Sequence, residues 1–187
     1  MNDFISFCNA LSPLTDGAED ELRSVLKYQT VSKNEYLLKS GRYCERLYFI
    51  RSGLVKVFFE NENRVFIMRF FAEESMMTAL GSFLSGEVSA YHILAIERTE
   101  LSYIEKTDLE ALCESHHCME RFFRKLLGSA SINLTRRVSD MLEEDATAHY
   151  HSFAKENQSL LQRVSLGDVA SYLGISQVTL SRIRAKG

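Results

Sequence analysis

Near the end of the chain, Gln177, Val178, Ser181, Arg182 and Ala185 recur at intervals that place them on one side of a helix. A glutamine amide can bond the edge of adenine through two hydrogen bonds. An arginine guanidinium can do the same for guanine, or clamp a phosphate. Thr179, Arg184 and Lys186 lie beside them and suit a phosphate backbone. Ser176, Gln177, Val178, Thr179, Ser181, Arg182, Arg184 and Lys186 are therefore the candidate contacts to duplex DNA. The competing reading is a solvated basic helix end.

Other reactive residues do not assemble a site in the sequence. The four cysteines stand at 8, 44, 113 and 118, and no pair has the Cys-x-x-Cys spacing of zinc or redox motifs. His116 and His117 stand beside Cys113 and Cys118, but neighbours on a helix diverge by about 100° and cannot converge on one ion. The β-rich region contains only His92, whereas cupin-like metal chemistry needs several histidines and a carboxylate in one barrel. No Ser-His-Asp or paired-carboxylate pattern stands out. Neither catalytic residues, nor a metal, nor a cofactor is expected, and the chain reads as a non-enzyme.

The elements that would present the C-terminal contacts are written in their caps. Ser165-x-x-Asp168 is a capping box opening a helix. Gly174 stands where that helix should stop and turn through positive φ. Ser176 is an N-cap for a second helix. Val169, Leu173, Ile175, Leu180 and Ile183 supply a small core, and Ala170 lets the helices cross closely. This is the pattern of a helix-turn-helix, whose second helix enters the major groove.

Charge agrees in distribution rather than in total. The 187 residues carry a net charge of -3. From 158 to 187, Arg163, Arg182, Arg184 and Lys186 face a single acid, Asp168, so the rest of the chain holds a net -6. A basic end on an acidic body suits a polyanionic partner. No apolar run nears the roughly 20 residues of a membrane span, and the first residues lack a signal-peptide pattern. No membrane partner and a cytoplasmic location are expected.

The preceding chain divides into three stretches. Thr15 is a candidate N-cap for a helix over 16–27. From about Thr30 to Ile104, short β-rich runs (36–38, 47–50, 54–59, 65–71, 91–96 and 101–104) alternate with turn signals such as Ser40-Gly41, Ser52-Gly53 and Asn61-Glu62-Asn63, as in a sandwich or jelly roll. Thr107-x-x-Glu110 predicts a capping box and a short helix to about Ser115. Then Met119, Phe122, Phe123, Leu126, Leu127, Ala130, Leu134, Val138 and Met141 recur every three or four residues up to the acidic residues 143–145. Such a stripe either packs on the chain's own β-domain or pairs with its twin as a short coiled coil, and the second is favoured.

The order β-domain, long helix, helix-turn-helix resembles the catabolite-activator/fumarate-nitrate-regulator (Crp/Fnr) family of bacterial transcription factors. The resemblance rests on Leu37-Leu38-Lys39-Ser40-Gly41, on residues 47–57, on Ala79-Leu80-Gly81-Ser82-Phe83 and on the helix-turn-helix. It implies an α+β fold: an N-terminal β-roll (a double-stranded β-helix or jelly roll) with flanking helices over 1–115, a dimerisation helix over 116–145, and a DNA-binding domain over 146–187 that lacks a C-terminal wing. It also implies a homodimer on double-stranded DNA, RNA polymerase as a candidate partner, and an effector of unknown identity. The effector pocket would involve Ala79, Leu80, Gly81, Phe83, Val88 and Ser89. Nucleotide-binding members place a glutamate and an arginine where this chain has Ala79 and Val88, and no arginine stands between Arg69 and Arg98. Cyclic AMP in the usual mode is therefore not expected. Only Cys8 lies near the start, so an iron-sulfur cluster is not expected either. The alternative function is a small-ligand sensor that regulates a protein partner.

Overall fold

The computed structural model describes residues 3–62, 64–143 and 145–186, with the side chains of Glu143 and Lys186 outside the description. Among them two compact units form, one from Met1–Val57 with Phe70–Ala130, the other from Phe58–Arg69 with Ser131–Gly187.

The first unit opens with α1 (Phe4–Leu11) and α2 (Asp16–Val25). Asp3 caps α1 by accepting from Ser6 N–H, and Thr15 caps α2 by accepting from Ala18 N–H, as expected. Helix α2 stops at Val25, not Lys27, because Lys27 begins strand β1 (Lys27–Val31). Then follow β2 (Tyr36–Leu38), β3 (Arg46–Ser52), β4 (Val55–Asn61), β5 (Arg64–Phe71), β6 (Met76–Met77), α3 (Leu80–Ser85), β7 (His92–Ala95) and β8 (Thr99–Glu105). Two four-stranded sheets result, in the orders β1-β8-β3-β6 and β2-β7-β4-β5. Register is antiparallel, with Arg46 opposite Glu105 and Lys27 opposite Tyr103. This is the β-sandwich of the expected roll. The turn expected at residues 61–63 includes Asn63, which lies outside the described residues; Glu62 beside it has φ 45°.

Helix α4 (Lys106–Ser115) corrects the expected capping box. Glu105, not Thr107, is its N-cap, with no side-chain cap bond. The Lys106 N–H donates to Glu45 O at 2.7 Å, so a tertiary bond starts the helix straight from the end of β8.

Helix α5 (His117–Glu143) is the expected long helix, 27 residues in length. Its first half closes the core of the first unit. Met119 and Phe122 are fully buried with Phe4, Cys8, Leu22, Phe49 and Leu109, and Phe123 and Leu126 pack on the same cluster. These four were expected to face a twin. Met119 and Phe122 instead fill the core of their own unit, and Phe123 and Leu126 are partly buried against it, because an apolar stripe satisfies any apolar surface that reaches it first.

The second unit gathers the end of β4 and most of β5 (within Phe58–Arg69), the end of α5, and α6 (Ala146–Glu156), α7 (Gln158–Leu161), α8 (Leu166–Leu173) and α9 (Gln177–Lys186). Asp145 caps α6, accepting from Thr147 and Ala148 N–H, and these bonds hold its carboxyl below the usual carboxylate range. The acidic stop signal at 143–145 includes Glu144, which lies outside the described residues.

Candidate functional site

The C-terminal helices form as their caps dictate. Ser165 Oγ accepts from Asp168 N–H at 3.0 Å and opens α8. Gly174 sits at φ 70°, the left-handed turn that a side chain resists. Behind it the Ile175 N–H donates to Ala170 O at 3.0 Å. Ser176 Oγ accepts from Thr179 N–H at 3.1 Å and opens α9. Val169, Ala170, Leu173, Leu180 and Ile183 are buried between the helices.

That burial decides which face of α9 is left over. Ser176, Gln177, Val178, Ser181, Arg182 and Ala185 are all exposed, opposite Leu180 and Ile183. Val178 keeps 61% of its surface in solvent, which suits contact with a thymine methyl. The Thr179 hydroxyl is engaged with Ser176 Oγ at 2.9 Å, so these two hydroxyls serve the cap first. Arg184 lies around the helix, beside a small cavity of about 50 Å³ that it lines with Tyr150, Leu166 and Val169. The Lys186 side chain is outside those described.

One residue that anchors α8 escaped the sequence reading. Arg137, on the second half of α5, donates through Nη2 to Tyr172 O at 2.9 Å and to Ile67 O at 3.1 Å. Its guanidinium carbon lies 3.7 Å from the centre of the Tyr172 ring, which also meets Phe153 at 4.8 Å. Burial pulls the Arg137 pKa down, and its Nη1 finds no hydrogen-bond partner among the described residues. Tyr172 belongs to α8 and Ile67 to β5, so one cation ties three elements of the unit together. The only signal in the sequence was a basic residue within the apolar stripe of the long helix.

Of the expected dimer residues, Leu134, Val138 and Met141 keep 52%, 49% and 57% of their surface in solvent, while Leu127 and Ala130 are half-buried.

The segment around α3 departs from an open ligand pocket. Ala79 is buried at the N-cap of α3, and its N–H donates to Cys44 Sγ at 3.4 Å. The Ser82 hydroxyl accepts from Cys44 N–H at 3.0 Å and donates to Glu87 O at 2.6 Å. Buried Ser89 bonds the backbone of Tyr91. Leu80 is half-buried and Gly81 exposed, and Phe83 sits in the core. Val88 is exposed, bridging to Tyr43. A cavity of about 250 Å³ lies elsewhere in this unit, against Phe83, Lys106, Leu109, Cys113 and Phe123; of the six expected pocket residues only Phe83 lines it. Burial there pushes the Cys113 thiol up to about 11, so it is a weak nucleophile. Among the described residues no group of His, Cys, Asp and Glu could hold a metal ion, and no helix is long and apolar enough to cross a membrane.

Residues 28–116 match the family model of the cyclic nucleotide-binding domain. No curated protein matches the chain. Similar solved structures include transcription regulators. A putative regulator of the Crp/Fnr family from Eubacterium rectale has a TM-score of 0.75 at 15% identity, covering 91% of this chain and 82% of its own. The c-di-GMP responsive global regulator CLP of Xanthomonas campestris has a TM-score of 0.71 at 19% identity, covering 92% and 91%. FixK2 of Bradyrhizobium japonicum has 0.70 at 17%, covering 87% and 84%.

Proposed function

We propose that this chain, with its cyclic nucleotide-binding fold over residues 28–116, is a sequence-specific DNA-binding transcription regulator of the Crp/Fnr type that acts as a homodimer. The observation that carries the reading is the exposed face of α9. It holds a glutamine, a serine, an arginine and an apolar valine above a closed two-helix core, and α9 contains no acid. Gln177 and Arg182 read base edges, while Arg184 and Lys186 serve the phosphates. The exposed Leu134, Val138 and Met141 form the seam to a second copy. We assign the domain limits accordingly, with 146–187 as the reading head.

Selection of bound DNA from a random pool tests this. The expected site is two-fold symmetric, with half-sites about one helical turn apart. Arg182→Ala is expected to weaken binding to the selected site by about 1–3 kcal/mol. Unchanged affinity would remove α9 from the interface.

The roll does not take a cyclic nucleotide through an arginine-phosphate pair. The positions in question hold buried Ala79 and exposed Val88. A phosphate buried without a cation is strongly disfavoured. Calorimetric titration with cyclic AMP or cyclic GMP is expected to give no binding heat; saturable heat from either refutes this.

A further inference from the structure

The helix-turn-helix contains a glycine that its backbone does not require. Gly167 lies in the first turn of α8, outside the left-handed region. Alanine would favour the helix there. The other helical glycines, Gly17, Gly81 and Gly128, have open space where a Cβ would stand. Gly167 does not. Gln177 Nε2 occupies that place, nearer than real Cβ contacts come, and Gln177 Cδ follows at 3.5 Å. Gln177 is the first residue of α9, so its amide reaches back across the turn and rests on the bare Cα of α8.

We propose that Gly167 is a specificity-determining position: by lacking a side chain, it seats the Gln177 amide on α8 and so sets the direction in which that amide meets a base pair. The inference rests on the DNA-binding reading above. A free glutamine carries substantial rotamer freedom, which a contact must remove. A seat on α8 removes part of it before DNA arrives. Any Cβ at position 167 takes the seat and redirects the amide. The obstructed group is the far end of a flexible side chain, so the backbone need not move. Stability and specificity therefore part company: alanine at 167 keeps the fold and alters the reading.

The test compares the full chain with Gly167→Ala, Gln177→Ala and the control Gly17→Ala, by selection from random DNA and by melting temperature. Gly167→Ala is expected to change base preference about fivefold or more at one base pair per half-site. That pair should be the one at which Gln177→Ala loses discrimination, and the melting temperature should not fall. Gly17→Ala should select the wild-type site. An unchanged preference in Gly167→Ala, or a change at a different pair, overturns the proposal. In the DNA-free protein, a nuclear Overhauser contact between the Gln177 side-chain amide and Gly167 Hα is expected, and its absence also overturns it. Should that contact be present while wild type selects no site, the DNA-binding reading itself is refuted, and the base-preference claim falls with it.

Discussion

Gly53→Ala is expected to lower the unfolding free energy by about 3–5 kcal/mol. Gly53 follows β3 with φ 103°, a conformation that side chains rarely adopt. A Cβ there would meet Thr99 Oγ1 first, then Thr99 Cα at 2.6 Å and Arg98 O at 2.8 Å. The latter two are backbone atoms at the start of β8, the strand paired with both β1 and β3. They cannot swing aside as a side-chain tip can. Thr99 is fully buried, with its hydroxyl donating to Glu97 O at 2.9 Å. The Gly53 N–H donates to Glu73 Oε1 at 2.9 Å, which fastens the turn in place. Strain and clash therefore add. Urea unfolding followed by circular dichroism measures the loss, and a change below about 1 kcal/mol would show that the turn can relax.

Arg137→Ala is expected to destabilise the C-terminal unit by about 2–4 kcal/mol. Hydrogen bonds from a charged donor contribute about 1.5–3 kcal/mol each, and stacking of a desolvated cation on an aromatic ring about 2 kcal/mol. Against this stands relief of desolvation, since the guanidinium is buried with its Nη1 unpartnered among the described residues. The two bonds to the carbonyls of Ile67 and Tyr172 decide the balance, because alanine removes both at once. Arg137→Met separates the contributions. It keeps an apolar stem over the Tyr172 ring and removes the donors. If methionine recovers more than half of the loss seen with alanine, packing dominates and the bonds to the two carbonyls are minor. The same unfolding experiment reads both variants. Because Tyr172 lies in α8, the proposed DNA-binding role further predicts that Arg137→Ala weakens binding to the selected site without changing which bases are preferred.

The helix-turn-helix was legible in the sequence because local chemistry makes it. Ser165, Gly174 and Ser176 act on residues within a few positions of themselves, so their roles survive whatever surrounds them. The strands of the roll were legible for a similar reason: β-rich runs stood between turn residues. Strand β1 was not, since Lys27-Tyr28-Gln29-Thr30 is polar and mostly exposed; pairing with β8 along one side makes it a strand, and that partner lies far along the chain. Thr107 misled because the Lys106 N–H is satisfied by Glu45, a bond that no local motif announces.

The long helix marks the boundary most clearly. Periodicity determined that one face from Met119 to Met141 is apolar, and it could go no further. Packing decided that Met119 and Phe122 belong to the chain's own core, whereas Leu134, Val138 and Met141 stay in solvent. Apolar burial has no direction, so spacing along a chain tells which residues leave water but never which surface receives them. Bonds from Arg137 to two distant carbonyls, and the resting of Gln177 on Gly167, are likewise events between elements; only the three-dimensional fold creates them.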